Sequence, residues 1–450
     1  MIKQLKSLIV LGALLIMFPH LTFASIDPAT YNEYDGFVCT NKWVVSRGVN
    51  EAEWGTCFLN YDNSKQRSAT IFEQKVIVGY SKPVETLING VSTSTHQANI
   101  CIFDLQTGAF EKSIDLTYNG EAITGTSCAN QIGIDSFGNL WITGLRKATD
   151  PIKVYTIDDI NNGNCSLVAD IPFAYNATMD FYDVIGDITG KNSHSVLASS
   201  ARGEHTIFQW KREKGSKIWQ NVLTYTLTTT HPETADVNDG PSMVSIVDNE
   251  SHNGETFIYD SFTTYPVKYN TQGEILGGFI EMPYSYMEVF PTIYTNGCIE
   301  FEIANRQFLA YSLGQPTDKK NQGCMAIADI TYSTDYDSAI CWLFTSLGTE
   351  SDGGSRFHCI DLKKVVDKNG KEAVYLLNYK SNNGLGVYLI SEKGFNEMLI
   401  SGVEEDKIST EFNPSEKKRY DIYGRILTKP IKGINIIKMS DGSIRKEILK

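Results

Sequence analysis

The chain has 450 residues, of which 42% are hydrophobic and 11% aromatic, and its net charge at pH 7 is −13. The acidity lies before residue 404, because residues 404–450 hold more Lys and Arg than Asp and Glu. Such a chain repels phosphate backbones and anionic lipid surfaces, and no basic stripe with interleaved aromatic residues offsets this. Nucleic acid is therefore not an expected partner.

The first 24 residues read as a secretory signal peptide. Lys3 and Lys6 precede the apolar run Leu8–Phe18, and Thr22-Phe23-Ala24 is a cleavage site of the small-x-small type. No later apolar run approaches the ~20 residues that a transmembrane helix needs. We expect a chain that begins at Ser25, passes through the periplasm and ends outside the cell or on the outer-membrane surface, with no transmembrane helix.

Two stretches read as pieces of β-propeller blades. Asn99–Asp115 is a strand, a Thr107-Gly108 turn and a second strand, and Ile132–Thr143 is another pair that turns at Gly138-Asn139. Both alternate apolar and polar positions. A propeller blade consists of two such hairpins in sequence, so the pattern predicts an all-β fold.

Strand-turn-strand units repeat through residues 55–390 at a period of roughly fifty residues, which is typical of blades. The count is six, and the sixth is one strand short. Phe37–Val45 has strand character, and pairing it with the strand near 386–390 would complete the ring. Seven blades, with an irregular one at 31–60, and a series of two-sheet sandwiches are the alternatives. Polar segments at Thr86–Gln97, His231–Gly240 and Gly348–Gly354 are predicted to be loops.

The composition changes at residue 401, so the propeller domain is predicted to span residues 25–400 and a small β-module residues 401–450. The module has three short alternating strands, separated by Gly and Pro turns, in Arg419–Pro430, Ile431–Lys438 and Gly442–Lys450.

Two motifs of the module are specific: Tyr420-Asp-x-x-Gly-Arg425 and Pro430-x-Lys-Gly-Ile434, followed by a last strand that ends in Lys450. With them, the module resembles the C-terminal sorting domain of the type IX secretion system of Bacteroidetes. The resemblance implies an export address read by the secretion machinery at the outer membrane. A structural terminal β-domain is the alternative.

The body resembles, more loosely, uncharacterised secreted propeller proteins of the same bacteria. The resemblance lies in Asp35-Gly36, Trp54-Gly55-Thr56, Arg67–Ile71 and Asp135–Asn139. That family has no settled activity, so the resemblance implies a location and a fold and no reaction.

The nine cysteines include no Cys-x-x-Cys pair, which argues against a zinc knuckle. Cys101 and Cys298 lie in apolar strand patterns and are expected to be buried. Cys39 with Cys57 and Cys341 with Cys359 have the same spacing, and each pair could form a disulfide between neighbouring strands.

The usual catalytic motifs are missing from the sequence. It contains no Gly-x-Ser-x-Gly elbow, no His-Glu-x-x-His helix and no phosphate-binding glycine loop. The histidines do not fall at metal-ligand spacing, and the acidic stretch Asp236–Gly240 lacks the ligand series of a calcium loop. We expect no cofactor and no metal.

The candidate site follows from propeller geometry, in which the connections between blades share a face. The relevant connections are Tyr175–Tyr182, Thr228–Pro241 and Pro283–Pro291. They bring together aromatic residues and carboxylates that suit a glycan or a peptide. The predicted ligand-binding residues are Tyr175, Asp180, Tyr182, His231, Asp236, Asp239, Tyr284, Tyr286 and Glu288.

Three functions are compatible with this set. The leading hypothesis is non-enzymatic binding of a glycan or peptide. The alternatives are a glycosidase or lyase that uses paired carboxylates, and an assembly module that binds other envelope proteins. The tyrosines could also simply plug the channel and pack the loops.

Overall fold

A computed structural model gives the structure of the protein. It describes residues 25–26, 32–46, 66–88, 91–227, 242–261, 264–279, 297–313, 323–336, 339–344, 347, 358–381, 383–400, 416–420, 426–427, 429, 432–439 and 444–449. The chain divides into two compact units, residues 1–399 and residues 400–450.

The described residues of the first unit form six sheets that follow one another along the chain, and consecutive strands of each sheet pair antiparallel. Sheet 1 contains Gln66–Phe72, Lys75–Ile88, Val91–Asp104 and Phe110–Asp115. Sheet 2 contains Gln131–Ile134, Leu140–Thr143, Ile152–Asp159 and Asn164–Ile171, with Thr117–Tyr118 and Glu121–Ala122 added at its edge. Sheet 3 contains Tyr182–Gly186, Ser195–Ala201, Thr206–Arg212 and Gln220–Thr226.

The remaining three sheets follow the same plan. Sheet 4 contains Ser242–Ile246, Thr256–Ser261, Thr264–Asn270 and Ile275–Gly278. Sheet 5 contains Cys298–Ile303, Arg306–Leu313, Cys324–Asp329 and Ile340–Phe344, and Ser25–Ile26 pairs in parallel with the last of these. Sheet 6 contains His358–Val366, Glu372–Lys380 and Gly384–Glu392, followed by Phe37–Ser46 and Asn32–Tyr34 from the start of the chain. A 3-10 helix spans Glu397–Leu399.

Successive four-stranded sheets that pack on their neighbours are the architecture of a β-propeller. The five interfaces between consecutive sheets, from 1 and 2 to 5 and 6, each hold a buried apolar cluster. Between sheets 2 and 3, for example, Trp141 and Val154 pack with Val184 and Trp210. Within the described residues there is no α-helix.

Short turns at one end of the sheets are fixed by aspartate side chains. Asp135 accepts hydrogen bonds from the backbone N–H groups of Phe137 and Asn139, both at 2.9 Å, and Gly138 supplies the left-handed backbone with φ 79°. Asp104 and Asp367 make the same kind of turn. Because carboxylates satisfy these turn amides locally, the hairpins are specified by short sequences. We call this end the turn face.

The strand Phe37–Ser46 pairs with the last sheet, as the sequence predicted for residues 37–45 and 386–390. Phe37–Ser46 lies antiparallel to Gly384–Glu392, with Val45 opposite Leu385 and Thr40 opposite Leu389. The ammonium of Lys42 lies 2.7 Å from the carboxylate of Glu397. The N-terminal strand is therefore the fourth strand of sheet 6.

One sequence prediction for the first unit was wrong. Residues 86–88 and 91–97 are strand rather than loop, because strands Lys75–Ile88 and Val91–Asp104 pair with each other along their whole length. Both strands are twice as long as Gln66–Phe72 beside them, so the hairpin projects beyond sheet 1. This segment is rich in Ser and Thr, which suggests a polar loop, but β-branched Thr favours strands.

The disulfides that the cysteine spacing left possible are not formed, because Cys39, Cys341 and Cys359 are free thiols. Cys341 packs against the core between sheets 5 and 6, whereas the thiol of Cys359 donates to the backbone oxygen of Ala69 in sheet 1 at 3.2 Å. The two side chains therefore point into different interfaces. Cys57 lies outside the described residues.

The second unit contains one four-stranded sheet. Its strands in spatial order are Ile426–Leu427, Glu416–Tyr420, Gly433–Met439 and Ile444–Leu449. Asn435 and Ile437 are buried, and Arg419 forms an ion pair with Glu447. The predicted first strand, Arg419–Pro430, thus contains parts of two strands, Glu416–Tyr420 and Ile426–Leu427, and the described residues of the module form four strands rather than three.

Candidate functional site

The end of the sheets opposite the turn face carries the longer connections. We call it the loop face and define it by residues 116–130, 172–181 and 202–205. Binding residues are commonly placed on longer loops that a rigid scaffold positions. The loop face is therefore where a site is expected, and the described residues there are held by an unusually polar network.

An ion-pair network joins sheets 1, 2 and 3 at the loop face. Arg202 donates to both carboxylate oxygens of Asp180, with Nε 2.5 Å from Oδ2. Arg67 donates from Nη1 to Oδ1 of Asn130 at 2.7 Å, and the same nitrogen lies 3.5 Å from the Asp180 carboxylate. Asn130 in turn donates to the backbone oxygen of Asp180. Two guanidinium groups thus share one buried carboxylate.

Polar contacts continue around the same end of the sheets. Ser200 of sheet 3 lies 2.8 Å from the hydroxyl of Ser242 in sheet 4. The Asp260 carboxylate of sheet 4 accepts the backbone N–H of Gly297, which leads into sheet 5, at 2.8 Å. Asn378 of sheet 6 donates to the backbone oxygen of Gly323 before the third strand of sheet 5, at 2.9 Å. These contacts form a polar belt that ties neighbouring sheets together.

Burial alters the titration of groups in and beside this belt. Desolvation raises the pKa of Asp260 to about 7, although the backbone N–H of Gly297 stabilises its charge. Desolvation also raises the pKa of Asp183, on the first strand of sheet 3, to about 7. Burial, with the nearby charge of Lys380, lowers the pKa of His358 to about 3. His358 is therefore neutral at physiological pH.

The connection 172–181 is rigidly held by one arginine. Arg146 donates four hydrogen bonds to backbone oxygens, including those of Phe173 at 2.7 Å, Tyr175 at 2.6 Å and Ala177 at 2.9 Å. Its guanidinium also lies over the Phe173 ring, 5.0 Å from the centroid. A connection fixed in this way positions its side chains without a large loss of entropy on binding.

Tyr175 is the exposed aromatic side chain on this connection. Its ring stacks on Phe173, contacts the edge of Phe208 at a centroid distance of 4.9 Å and remains 37% exposed. Its hydroxyl donates to Glu204 at 2.6 Å, and this hydrogen bond is the main cause of its raised pKa. Tyr175 therefore has the properties of a fixed stacking platform.

Of the nine predicted ligand-binding residues, three are described. Tyr175 is exposed, as a binding role requires. Asp180 is only 1% exposed and is bound by Arg202, and Tyr182 is buried in the core between sheets 2 and 3. Neither of the latter two is open to a ligand from solvent. The other six lie outside the described residues: His231, Asp236, Asp239, Tyr284, Tyr286 and Glu288.

The sequence did not single out the basic members of the network as site residues. Arg67 lies at the start of the first strand of sheet 1, and Asn130 lies just before the first strand of sheet 2. Arg202 follows the second strand of sheet 3. A polar residue at the same place in successive blades is the signal that could have found them. Their mutual contacts depend on how the sheets pack and are not visible in any local pattern.

Two further observations concern the described residues only. In that part of the chain, no helix is long and apolar enough to cross a membrane. The same residues hold no group of three or more His, Cys, Asp or Glu side chains placed to bind a metal ion.

No family model matches this chain, and no curated protein does. Among solved structures, the Dos1 propeller is similar over 86% of this chain and 83% of its own, with 10% identity and a TM-score of 0.34. A candidate 6-phosphogluconolactonase from Bacteroides uniformis matches 78% of this chain and 92% of its own, with 10% identity and a TM-score of 0.35. For prolyl oligopeptidase B from Galerina marginata, at 11% identity and a TM-score of 0.32, the match spans 76% of this chain but only 45% of the enzyme. Similarities this remote carry no information on function.

Proposed function

We propose that the protein is a six-bladed propeller, exported from the cell, that binds a glycan or a peptide on its loop face without chemical conversion. The β-module at residues 401–450 serves in this proposal as the export address that the secretion machinery reads. The observation that carries the binding function is the fixed, exposed ring of Tyr175, whose hydroxyl donates to Glu204 in the turn that follows Arg202.

Contacts between the last and first sheets support closure of the six-sheet ring. Asp361 of sheet 6 accepts a hydrogen bond from the hydroxyl of Thr70 at 2.5 Å and from the backbone N–H of Ile71 at 2.9 Å. The indole N–H of Trp43 donates to the backbone oxygen of Leu105 at 2.8 Å. Sheets 4 and 5 share a core in which Ile258 packs with Leu309. Closure in this way leaves few exposed strand edges.

The geometry on the loop face suits binding rather than bond cleavage by the described residues. Tyr175 offers an amphipathic ring, and Arg202 offers a charged donor that Asp180 holds in place. Asp180 itself is enclosed by two arginines, which does not suit a general acid or a nucleophile. The carboxylates of Asp236, Asp239 and Glu288 lie outside the described residues, so the glycosidase or lyase alternative stays a prediction.

The test is a screen of the purified chain against glycan and peptide arrays, with glycosidase and lyase products measured in parallel. Tyr175→Ala should weaken the ligand found by about 1–3 kcal/mol, the usual cost of removing an interface anchor. Phe137→Ala is the matched control, since Phe137 is a comparably exposed ring, at 44%, on the turn face. Equal binding by Tyr175→Ala and the unmodified chain, or product release in the parallel assay, would contradict the proposal.

A further inference from the structure

We infer that two copies of this chain pair through the outer strand of sheet 3, Gln220–Thr226, and form a weak twofold dimer. The pairing is independent of the proposed function, since it uses neither Tyr175 nor the network around Asp180. Its basis is the way in which the outer edge of each sheet is protected.

Three of the six sheets carry an additional strand on their outer edge. Thr117–Tyr118 pairs with the outer strand of sheet 2, Ser25–Ile26 with that of sheet 5 and Asn32–Tyr34 with that of sheet 6. An added strand takes up backbone N–H and C=O groups that would otherwise be open to another chain. All three outer strands have a register shift against the strand on their inner side, as the outer strand of sheet 3 also has. Such a bulge therefore does not prevent an outer strand from accepting a further strand.

The outer strands of sheets 1 and 4 are protected in other ways. In sheet 1, Phe110–Asp115 contains three charged residues, of which Glu111 forms an ion pair with Lys75. Charged side chains on an edge disfavour pairing with another chain. In sheet 4, the outer strand Ile275–Gly278 has only four residues, and its last residue is hydrogen-bonded to the segment 334–336. Both edges are thus poor templates for a further strand.

Sheet 3 has none of these protections in the part of the chain that the structure describes. Its outer strand has seven residues, and no described strand pairs with its outer side. The strand contains no charged residue, and the uncharged run extends from Ile218 to Thr230. Val222 is 53% exposed and Ile218 is 68% exposed. A long, uncharged edge with exposed apolar side chains is the kind of edge that pairs with another strand.

The partner that this strand fits is a second copy of itself. At a net charge of −13, two copies of the chain repel each other where their charged surfaces meet, whereas they can approach closely along an uncharged strand. A strand without charges also has nothing that would select an oppositely charged partner. Identical strands that pair about a twofold axis make the same contacts twice, so the assembly closes as a dimer.

An antiparallel pairing centred on Leu223 uses the whole strand. In this register, Val222 of each copy lies opposite Thr224 of the other, and no charges are opposed. Val and Thr both favour strands. The paired segment is about 23 Å long at the usual rise of a strand. Because the two strands run in opposite directions, the loop faces of the two copies also point in opposite directions.

The contact is small, so the dimer is weak. Stable interfaces bury about 1,200 Å² or more, and one pair of edge strands falls below that range. We expect a dissociation constant between about 1 µM and about 1 mM.

The test is sedimentation equilibrium of the full exported chain from about 5 to about 500 µM, over which the average mass should rise toward that of a dimer. Val222→Lys should weaken dimerisation about tenfold or more, because Lys on an edge strand disfavours pairing. Ile275→Lys is the matched control, since Ile275 is 54% exposed on the outer strand of sheet 4, and it should leave dimerisation unchanged. The melting temperature of each variant shows whether it is folded.

Disulfide cross-linking tests the register of the pair. Residues opposite each other on antiparallel strands lie within reach of a disulfide. An oxidised mixture of the Val222→Cys and Thr224→Cys variants should therefore give more covalent dimer than either variant alone. A mixture of Ile275→Cys and Thr224→Cys is the control and should give no such increase.

Each contrary result has a definite meaning. A chain that stays monomeric up to about 500 µM overturns the inference and leaves the edge to a partner of another sequence. A dimer that Val222→Lys does not weaken, or that Ile275→Lys weakens equally, also overturns it, because the contact then lies elsewhere. A mixture of the two cysteine variants that cross-links no better than each alone overturns the antiparallel pairing. Glycan and peptide binding are tested separately by the array screen.

Discussion

Replacing Asp183 with Asn should flatten the dependence of folding stability on pH. The side chain of Asp183 is partly buried, and its carboxylate accepts the backbone N–H groups of Ile246 at 2.6 Å and Val184 at 2.8 Å. Desolvation, with smaller contributions from the charges of Asp248 and Asp361, raises its pKa from 3.8 to about 7. The folded protein therefore holds a proton that the unfolded chain releases.

The sign and size of the change in stability with pH follow from the difference between the folded and unfolded pKa of Asp183. Below the unfolded pKa both states are protonated, and as the pH rises from about 4 to about 7 only the unfolded state loses its proton, so stability falls. Each unit of pKa difference is worth about 1.4 kcal/mol, which gives a loss of roughly 4 kcal/mol over three units. Asp260, with a pKa also raised to about 7, adds a loss of the same sign in the same range.

The assay is urea unfolding at about pH 4 and about pH 8, with the free energy of unfolding compared between the two. Asn keeps an acceptor for the Ile246 N–H and cannot ionise, so Asp183→Asn should remove about half of the loss and Asp183→Asn with Asp260→Asn most of it. Asp170→Asn, a change of an exposed carboxylate, is the control. An unchanged difference between the two pH values in the double variant would refute the reasoning.

Three further predictions concern other parts of the chain. Gly133→Ala should lower stability by about 1–3 kcal/mol in thermal unfolding, because the added Cβ would lie 2.6 Å from Cζ2 of the buried Trp141; an unchanged melting temperature would contradict this. Asp361→Ala should cost about 1–3 kcal/mol, since it leaves the Ile71 N–H without its acceptor between sheets 6 and 1, and Asp361→Asn should recover part of the loss. Deleting residues 404–450 should leave the first unit folded, because the two units are separate compact bodies. If these residues are an export address, the truncated chain should stay in the periplasm. Cell fractionation that finds it at the surface would count against that role.

The local parts of the fold could be predicted from the sequence, because their signals lie within a few residues. The hairpin at Ile132–Thr143 is present as strands Gln131–Ile134 and Leu140–Thr143, with Gly138 in the left-handed conformation that its turn requires. The pairing of residues 37–45 could also be predicted. The last sheet lacked one strand and this strand had no sheet of its own, and pairing the two removes two unpaired strand edges.

Contacts between sheets could not be predicted in the same way. Arg67 and Asn130 are 63 residues apart and meet only because sheets 1 and 2 pack side by side. The pairing of the cysteines could not be predicted for a related reason, because equal spacing along the chain does not determine which interface each thiol faces. In the candidate site, the exposure of Tyr175 could be expected from its place on a connection between sheets, and its binding role stays a prediction. The ion pair that surrounds Asp180 could not be predicted.

The strand Phe37–Ser46 joins parts of the first unit that lie far apart in the chain. It precedes sheets 1 to 5, yet its partner strand Gly384–Glu392 follows all of them. The bond between Lys42 and Glu397 joins residues 355 positions apart. Contacts of such long range form slowly, because the intervening chain must be ordered before they are stabilising. Sheets 1 to 5 can therefore form before Phe37–Ser46 pairs with sheet 6, and we expect the unit to become resistant to proteases only after that pairing.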